Sequence, residues 1–312
     1  MCFAICLNLL ATTRNLASDH LVHWSQPSTA GPVSLLIRSV RSSGCTEFRS
    51  TRQLHRQFIE GHSLDGPLDD SKELIFYTHT LCPYAQRVWL TLLEKEVDFY
   101  PVQIDLSDKP PFYRSICSLV PAISHLGTIV TESIDICNWI DESLEGPSLV
   151  PSEQAGRQAM SALVSSSSTI NSAGLSLLAG RSGRSWGIGE GQSEAQRRSF
   201  EAQLRRLDGV LSKFGGPFLF GERVSLADLI IFPFMERFAL AKEFTGYDVH
   251  DALGGSIGAW LSSMAERPSC KMASANSTLL LEAFRKHRSL DFFDYTTYMA
   301  TELHPHLIEP TN

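Results

Sequence analysis

No stretch of the 312 residues approaches the roughly 18 successive apolar positions of a membrane-spanning helix, so the mature protein is expected to be soluble, with no membrane partner. Positive charge is also in short supply. The formal net charge is −7, which speaks against nucleic acid as a partner. None of the seven cysteines, Cys2, Cys6, Cys45, Cys82, Cys117, Cys137 and Cys270, belongs to a C-x-x-C pair or has zinc-ligand spacing. His62, His304 and His306 make no metal-ligand set either. A disulfide framework and a metal site are thereby set aside, no bound cofactor is implied, and scattered thiols suit a reducing compartment. What remains is a chain long enough, at 43% hydrophobic residues, for about two packed domains.

Lysine is absent from residues 1–58, which hold six arginines against Asp19 and Glu47, a net +4 that leaves −11 for the rest. An Arg-rich, Ser-rich, acid-poor and aperiodic segment has the composition of an organelle transit peptide. A plastid is the expected destination, with mitochondrion or cytoplasm as alternatives. A disordered basic tail is the other reading of the same composition. The apolar run 3–11 resembles the core of a secretory signal, but no basic region precedes it. Residues 1–70 are expected to stay outside the fold.

The pattern changes after that. Residues 73–78 form a short apolar run without alternation, the mark of a strand covered on both faces. From Pro83 to about Lys95, Ala85, Val88, Trp89, Leu92 and Leu93 make one apolar stripe at helical spacing. A second strand is expected at 98–104, a short helix within 110–118, and a hairpin from 120–125 and 128–131 around Leu126-Gly127. A helix over 133–144 follows. This order describes an α/β unit with a mixed sheet at 72–145. Beyond a Gly/Pro linker no strand is expected. Helices are read near 153–179, 193–214, 225–242, 254–266 and 277–287, making an all-helical domain at 153–290 with a C-terminal extension, 291–312. The Gly-rich piece 180–191 connects the first two helices.

Cys82 stands immediately before a helix whose first position is Pro83. Unpaired N–H groups and the positive end of the helix dipole converge there, so its thiol pKa is expected to fall below the free value of about 8.5. No lysine or arginine lies within five residues on its N-terminal side, and Arg87 is more than a turn away, so the helix end is expected to dominate. His79 is read as facing solvent. Three positions beyond Cys82 stands Ala85, not a second cysteine. A dithiol would resolve its own mixed disulfide; a monothiol needs an outside thiol, and glutathione is the obvious supplier.

The run Cys82-Pro83-Tyr84-Ala85-Gln86-Arg87-Val88-Trp89 resembles the active-site helix of cysteine-type glutathione transferases of the lambda and omega classes. Leu119-Val120-Pro121, Glu132-Ser133-Ile134-Asp135 and Ser225-Leu226-Ala227-Asp228 follow in the order of that family's motifs, and the resemblance covers about 72–290. It implies a thioredoxin-like α/β domain followed by an all-α domain, with Cys82 as nucleophile. Val120 before a cis Pro121 would pair with the cysteinyl part of glutathione. Glu132 and Ser133 would hold its γ-glutamyl end, and Tyr84 and Lys109 would complete the site. The connection from Lys109 to Pro121 is about two residues shorter than the family pattern, and the Asn-Pro usual before the proline turn is missing. Ser225 and Asp228 read as a helix cap.

The activity implied is thiol transfer with glutathione as co-substrate and a small electrophilic or glutathionylated compound as partner, dehydroascorbate among them. A non-catalytic carrier or interaction protein of the same fold is the alternative. Trp186, Phe238, Trp260 and Tyr298 are candidate linings for the second substrate; monomer and homodimer stay open. The basic leader generates the first prediction. Residues 1–58 fused to a fluorescent reporter should carry it into an organelle, and diffuse cytosolic signal would remove the targeting reading.

Overall fold

The computed structural model describes residues 59–60, 64–105, 108–179, 192–274, 277–278 and 280–281. The leader up to 58, the 180–191 connection, most of the 277–287 helix, the 291–312 extension, Trp186, Tyr298 and the three histidines 62, 304 and 306 lie outside the described residues.

Five strands make one mixed sheet: Ile59–Glu60 (β1), Leu74–Thr78 (β2), Phe99–Gln103 (β3), Ala122–His125 (β4) and Thr128–Thr131 (β5), in the order β1-β3-β2-β4-β5. All five residues of β2 are buried, as its unalternating sequence requires. It runs parallel to β3, with Leu74 opposite Phe99, and antiparallel to β4, with Phe76 opposite Ile123. The β4–β5 hairpin turns through Leu126 and Gly127, both at positive φ.

The expectation that residues 1–70 stay outside the fold fails at its end. β1 pairs parallel with β3, Ile59 against Val102. The Asp70 carboxylate accepts from Ser124 Oγ and from the Gly127 amide, and its carbonyl accepts from the Leu126 amide. A two-residue strand is too short to leave a periodic signal, and Asp70 declares itself only once the hairpin is in place.

Helices Pro83–Glu94 (α1), Pro111–Ile116 (α2) and Ser133–Ser143 (α3) complete the α/β unit. The helical domain contains Gln154–Ser165 (α4), Ser167–Ala179 (α5), Glu194–Phe214 (α6), Leu226–Leu240 (α7), Lys242–Thr245 (α8), Ser256–Ala265 (α9) and Pro268–Ala273 (α10). The single helix expected over 153–179 is broken at Ser166. Its amide donates to both Ala162 and Leu163 carbonyls and its hydroxyl to Leu163 O, so the side chain competes with the helical ladder. Gly174 lets α5 meet α7, since a Cβ there would stand 2.3 Å from the Phe238 ring.

α1 departs most from its sequence reading. A single apolar stripe is expected, yet eleven of its twelve residues are buried, Tyr84 alone being partly open. α3 packs against α1 from the α/β unit, and α7 and α10 pack against it from the helical domain.

Trp260, a candidate for lining the second-substrate site, is core. It is 1% exposed and its indole N–H donates to Asp228 Oδ1 at 2.8 Å. Asp228 also accepts from the Leu219 amide at 2.9 Å, the Ser225 amide at 2.8 Å and Ser225 Oγ at 2.7 Å. The cap is therefore also the knot joining α7, α9 and the 218–221 turn. Asp228→Ala orphans several buried donors at about 1–3 kcal/mol each. A loss of about 3 kcal/mol or more is expected, lowering the melting temperature by roughly 6–12 °C in a domain of this size. A drop below about 3 °C in a thermal melt would show that the knot is dispensable.

Candidate active site

The sequence Thr80-Leu81-Cys82-Pro83 folds as a tight turn into α1. The Cys82 amide donates to His79 O at 3.0 Å, the Leu81 amide donates to His79 Nδ1 at 3.2 Å, and the Gln86 amide begins the helical ladder on Cys82 O at 2.9 Å. Cys82 is the N-cap, in extended conformation. His79, read as facing solvent, is 2% exposed and accepts through Nδ1; it holds the turn from inside.

The Val120–Pro121 peptide is cis, as the family pattern implies. It brings the Val120 carbonyl to 4.0 Å from Cys82 Sγ, near contact rather than a strong hydrogen bond. Tyr113 of α2 braces that segment from below, its hydroxyl donating to Leu119 O at 2.6 Å. Glu132 precedes α3 with φ at +65°, a conformation that costs a non-glycine residue on the order of 1–3 kcal/mol. It is exposed, while Ser133 at the first turn of α3 is buried.

Arg87 ties these pieces together. Its Nη1 donates to Ser133 Oγ at 3.2 Å and its Nε to Ile230 O of α7 at 2.8 Å. The guanidinium lies 5.2 Å from the Tyr84 ring centre and 4.8 Å from that of Phe234. Tyr84 also meets Phe234 edge-on at 5.0 Å. Cys82, Tyr84, Val120, Pro121, Glu132 and Ser133 thus occupy one region at the start of α1 and α3. Lys109 is half-buried in the loop before α2, and among the described residues no hydrogen bond or ion pair ties it to the other six.

Two neighbours of this turn, Arg237 and Glu236, escape the sequence reading. Arg237 of α7, 2% exposed, donates through Nη2 to Leu81 O at 3.0 Å and through Nη1 to Gln86 Oε1 and Pro233 O. Gln86 Nε2 in turn donates to Glu236 Oε2 at 3.0 Å. The one signal was an arginine and a glutamate inside an otherwise apolar stretch, Phe234-Met235-Glu236-Arg237-Phe238.

The electrostatics reverse one expectation. Burial pushes the Cys82 thiol up from its ordinary pKa; the Ala85 and Tyr84 amides at the helix start, then Arg237 and Arg87, pull it down without overcoming that cost. The helix end acts as anticipated, but the sulfur is 2% exposed, and desolvation outweighs it. Cys137 is likewise pushed up by burial, to about 11, against a hydrogen bond from Thr91. Cys270 is pushed up too.

Comparison with known proteins bears on this arrangement. The family described as "Glutathione S-transferase, N-terminal domain" matches residues 81–143, and "Glutathione S-transferase, C-terminal domain" matches 190–270. The chain is 30% identical over 220 residues to "Glutathione S-transferase L3" of Arabidopsis thaliana, spanning 67% of this chain and 86% of that one. It is 30% identical over 179 residues to "Glutathione S-transferase L2, chloroplastic" of the same plant, 55% of each chain. Among solved structures, glutathione transferase Omega 3C from Trametes versicolor superposes with a TM-score of 0.56 at 22% identity, covering 73% of this chain and 95% of that one; it shares the fold.

The burial of Cys82 has a measurable consequence. Because the thiol is held up, its alkylation by iodoacetamide, followed at the Cys82 peptide by mass spectrometry, should rise with a midpoint above the roughly 8.5 of a free thiol. A midpoint below about 7 would show that the helix end and the two arginines win over desolvation.

Proposed function

From the premise that the chain belongs to the glutathione transferase family, in its cysteine-type, lambda- and omega-like class, and is a glutathione-dependent transferase of thioredoxin-like plus all-α fold, we propose that it acts by thiol transfer through Cys82. One observation carries the proposal: Cys82, the N-cap of α1, faces the cis Val120–Pro121 turn, its sulfur 4.0 Å from the Val120 carbonyl.

In the first step the Cys82 thiolate attacks the glutathionyl sulfur of a mixed disulfide R–S–S–G. The S–S bond breaks, R–S⁻ leaves and takes a proton, and Cys82 is left joined to glutathione. A second glutathione thiolate attacks the sulfur of that glutathionyl group, releasing glutathione disulfide and restoring Cys82. Dehydroascorbate is reduced to ascorbate when Cys82 and one glutathione supply its two electrons and become the same Cys82–glutathione disulfide, which a second glutathione opens to release glutathione disulfide. The small electrophile or glutathionylated compound enters beside the helical domain. An alcohol at position 82 cannot form the intermediate.

The family pattern supports a position for glutathione across the starts of α1 and α3. Val120 offers its backbone to the cysteinyl part, beside Pro121. Ser133 and the N-terminus of α3 suit the γ-glutamyl carboxylate, where free N–H groups and the helix dipole favour an anion. Exposed Glu132 is available to the γ-glutamyl ammonium; its left-handed backbone supports a role beyond packing. Tyr84 and Lys109 border the same region, Lys109 with the weaker support.

A buried sulfur need not be an idle one. A disulfide that reaches it must first displace what covers it. That movement relieves the desolvation that raises the pKa and leaves the amides and arginines that lower it. For location, the basic leader and the plastid relative favour a plastid.

Cys82→Ser tests the proposal. With glutathione, hydroxyethyl disulfide and coupled glutathione reductase, the wild type should turn over and the variant should not, at unchanged melting temperature. Retention of more than about a tenth of the wild-type rate would place the nucleophile elsewhere.

A further inference from the structure

The sequence around Cys82 offers no nearby cation, yet the fold brings one from 155 positions further along the chain. Arg237 sits on α7, in the helical domain, and reaches across to the residue immediately before the nucleophile. Its Nη2 donates to Leu81 O at 3.0 Å, and its Nη1 reaches Gln86 Oε1, one turn into α1. The guanidinium therefore grips the turn on both sides of Cys82. Nη1 also bonds the Pro233 carbonyl, which fixes the side chain along its own helix. Glu236 stands 3.7 Å from it, and that carboxylate is shared with Gln86 and with Ser274 Oγ at 2.7 Å.

We propose that Arg237 is a positioning residue for the thiol-transfer reaction: it clamps the Leu81–Cys82 turn from the helical domain and supplies a buried positive charge that favours the Cys82 thiolate, with Glu236 setting how much of that charge the sulfur feels. The inference rests on the reading of Cys82 as nucleophile. The direction of its influence agrees with the causes acting on the thiol, among which Arg237 precedes Arg87. Other ionisable groups around the sulfur have settled roles. Arg87 of α1 is bonded to Ser133 and Ile230. Tyr113 of α2 is pushed up by burial and stays a neutral phenol. His79 accepts from the Leu81 amide. Cys270 of α10 lies within the field of Glu236 and is held as a thiol.

The test reads the thiol directly, so its outcome is separate from turnover. In the full-length chain, the pH midpoint of Cys82 alkylation is measured by peptide mass spectrometry in wild type, Arg237→Met, Arg237→Lys and Glu236→Gln. Arg237→Met should raise the midpoint by about one unit, as expected for loss of a nearby opposite charge. Arg237→Lys, keeping the charge, should recover at least half of that shift. Glu236→Gln keeps one of the two acceptor oxygens used by Gln86 and Ser274 but leaves the guanidinium less neutralised, and should lower the midpoint. A purely structural arginine would not move the two positions in opposite directions. If Arg237→Met folds and its midpoint moves less than about 0.3 unit, the proposal fails. Should that variant not fold, Glu236→Gln decides alone, and an unchanged or raised midpoint overturns the assignment. Loss of turnover in Cys82→Ser with these shifts absent would leave the thiol-transfer reading standing without Arg237; shifts present with turnover retained would do the reverse.

Discussion

A helix buried on every side cannot leave a polar side chain unanswered, and α1 carries four polar residues into that condition. Burying an amide or a charge without partners costs several kcal/mol. Each of these residues therefore dictates which element must lie beside it. Gln86 calls for Glu236 and Arg237 on α7; Arg87 calls for Ser133 on α3 and the Ile230 carbonyl on α7. Thr91 donates to its own helix at Arg87 O and touches Cys137 of α3. Glu94 takes the fork of Arg267 and the hydroxyl of Ser269, just before and within α10. Past the helix end, Lys95 bonds the side chain and carbonyl of Asp141 at 2.9 and 2.8 Å. The helical domain is thus not an accessory to the α/β unit. Without it, the helix that starts after Cys82 would present these polar side chains to nothing.

The same constraint explains where the sequence could be read and where it could not. β2, the β4–β5 hairpin and α3 follow from local pattern alone, because their apolar residues need only the sheet to satisfy them. Cys82 was legible from a short motif whose chemistry is local to a helix end, and the cis Val120–Pro121 turn from the family resemblance. Gln86, Arg87, Thr91 and Glu94 were not, since a polar run on a helix ordinarily faces water. The partners that satisfy them lie up to 175 positions away. The same distance hid Arg237 and turned His79 inward against a solvent-facing expectation. Trp260 misled for the opposite reason: an aromatic with an N–H can line a ligand site or close a core knot, and only Asp228 shows which.

The elements that answer α1 carry their own departures from regularity, and these fall where contact is needed. Pro233 lies inside α7, where it removes a helical hydrogen bond, yet its carbonyl is the anchor for Arg237. Glu132 accepts a left-handed backbone at the mouth of α3, and the next residue receives Arg87. The chain tolerates these local costs because the interlock around α1 fixes the surroundings too firmly for either to relax.

For the proposed nucleophile, the burial that raises its pKa is less damaging than the loss of thiolate suggests. Each unit of upward shift removes a factor of ten in thiolate at neutral pH. It also makes the remaining thiolate a better nucleophile, by a Brønsted slope of about 0.4–0.5. The net loss is then roughly three- to fourfold per unit. Against that, oxidation to sulfenic and higher acids follows thiolate character and exposure. A sulfur 2% exposed and held as thiol is withdrawn from indiscriminate oxidants, while a disulfide bound beside Val120 and the start of α3 can still uncover it. Two buried arginines and two aimed amides then matter most at the moment of attack, when the desolvation cost recedes and the charge they stabilise appears.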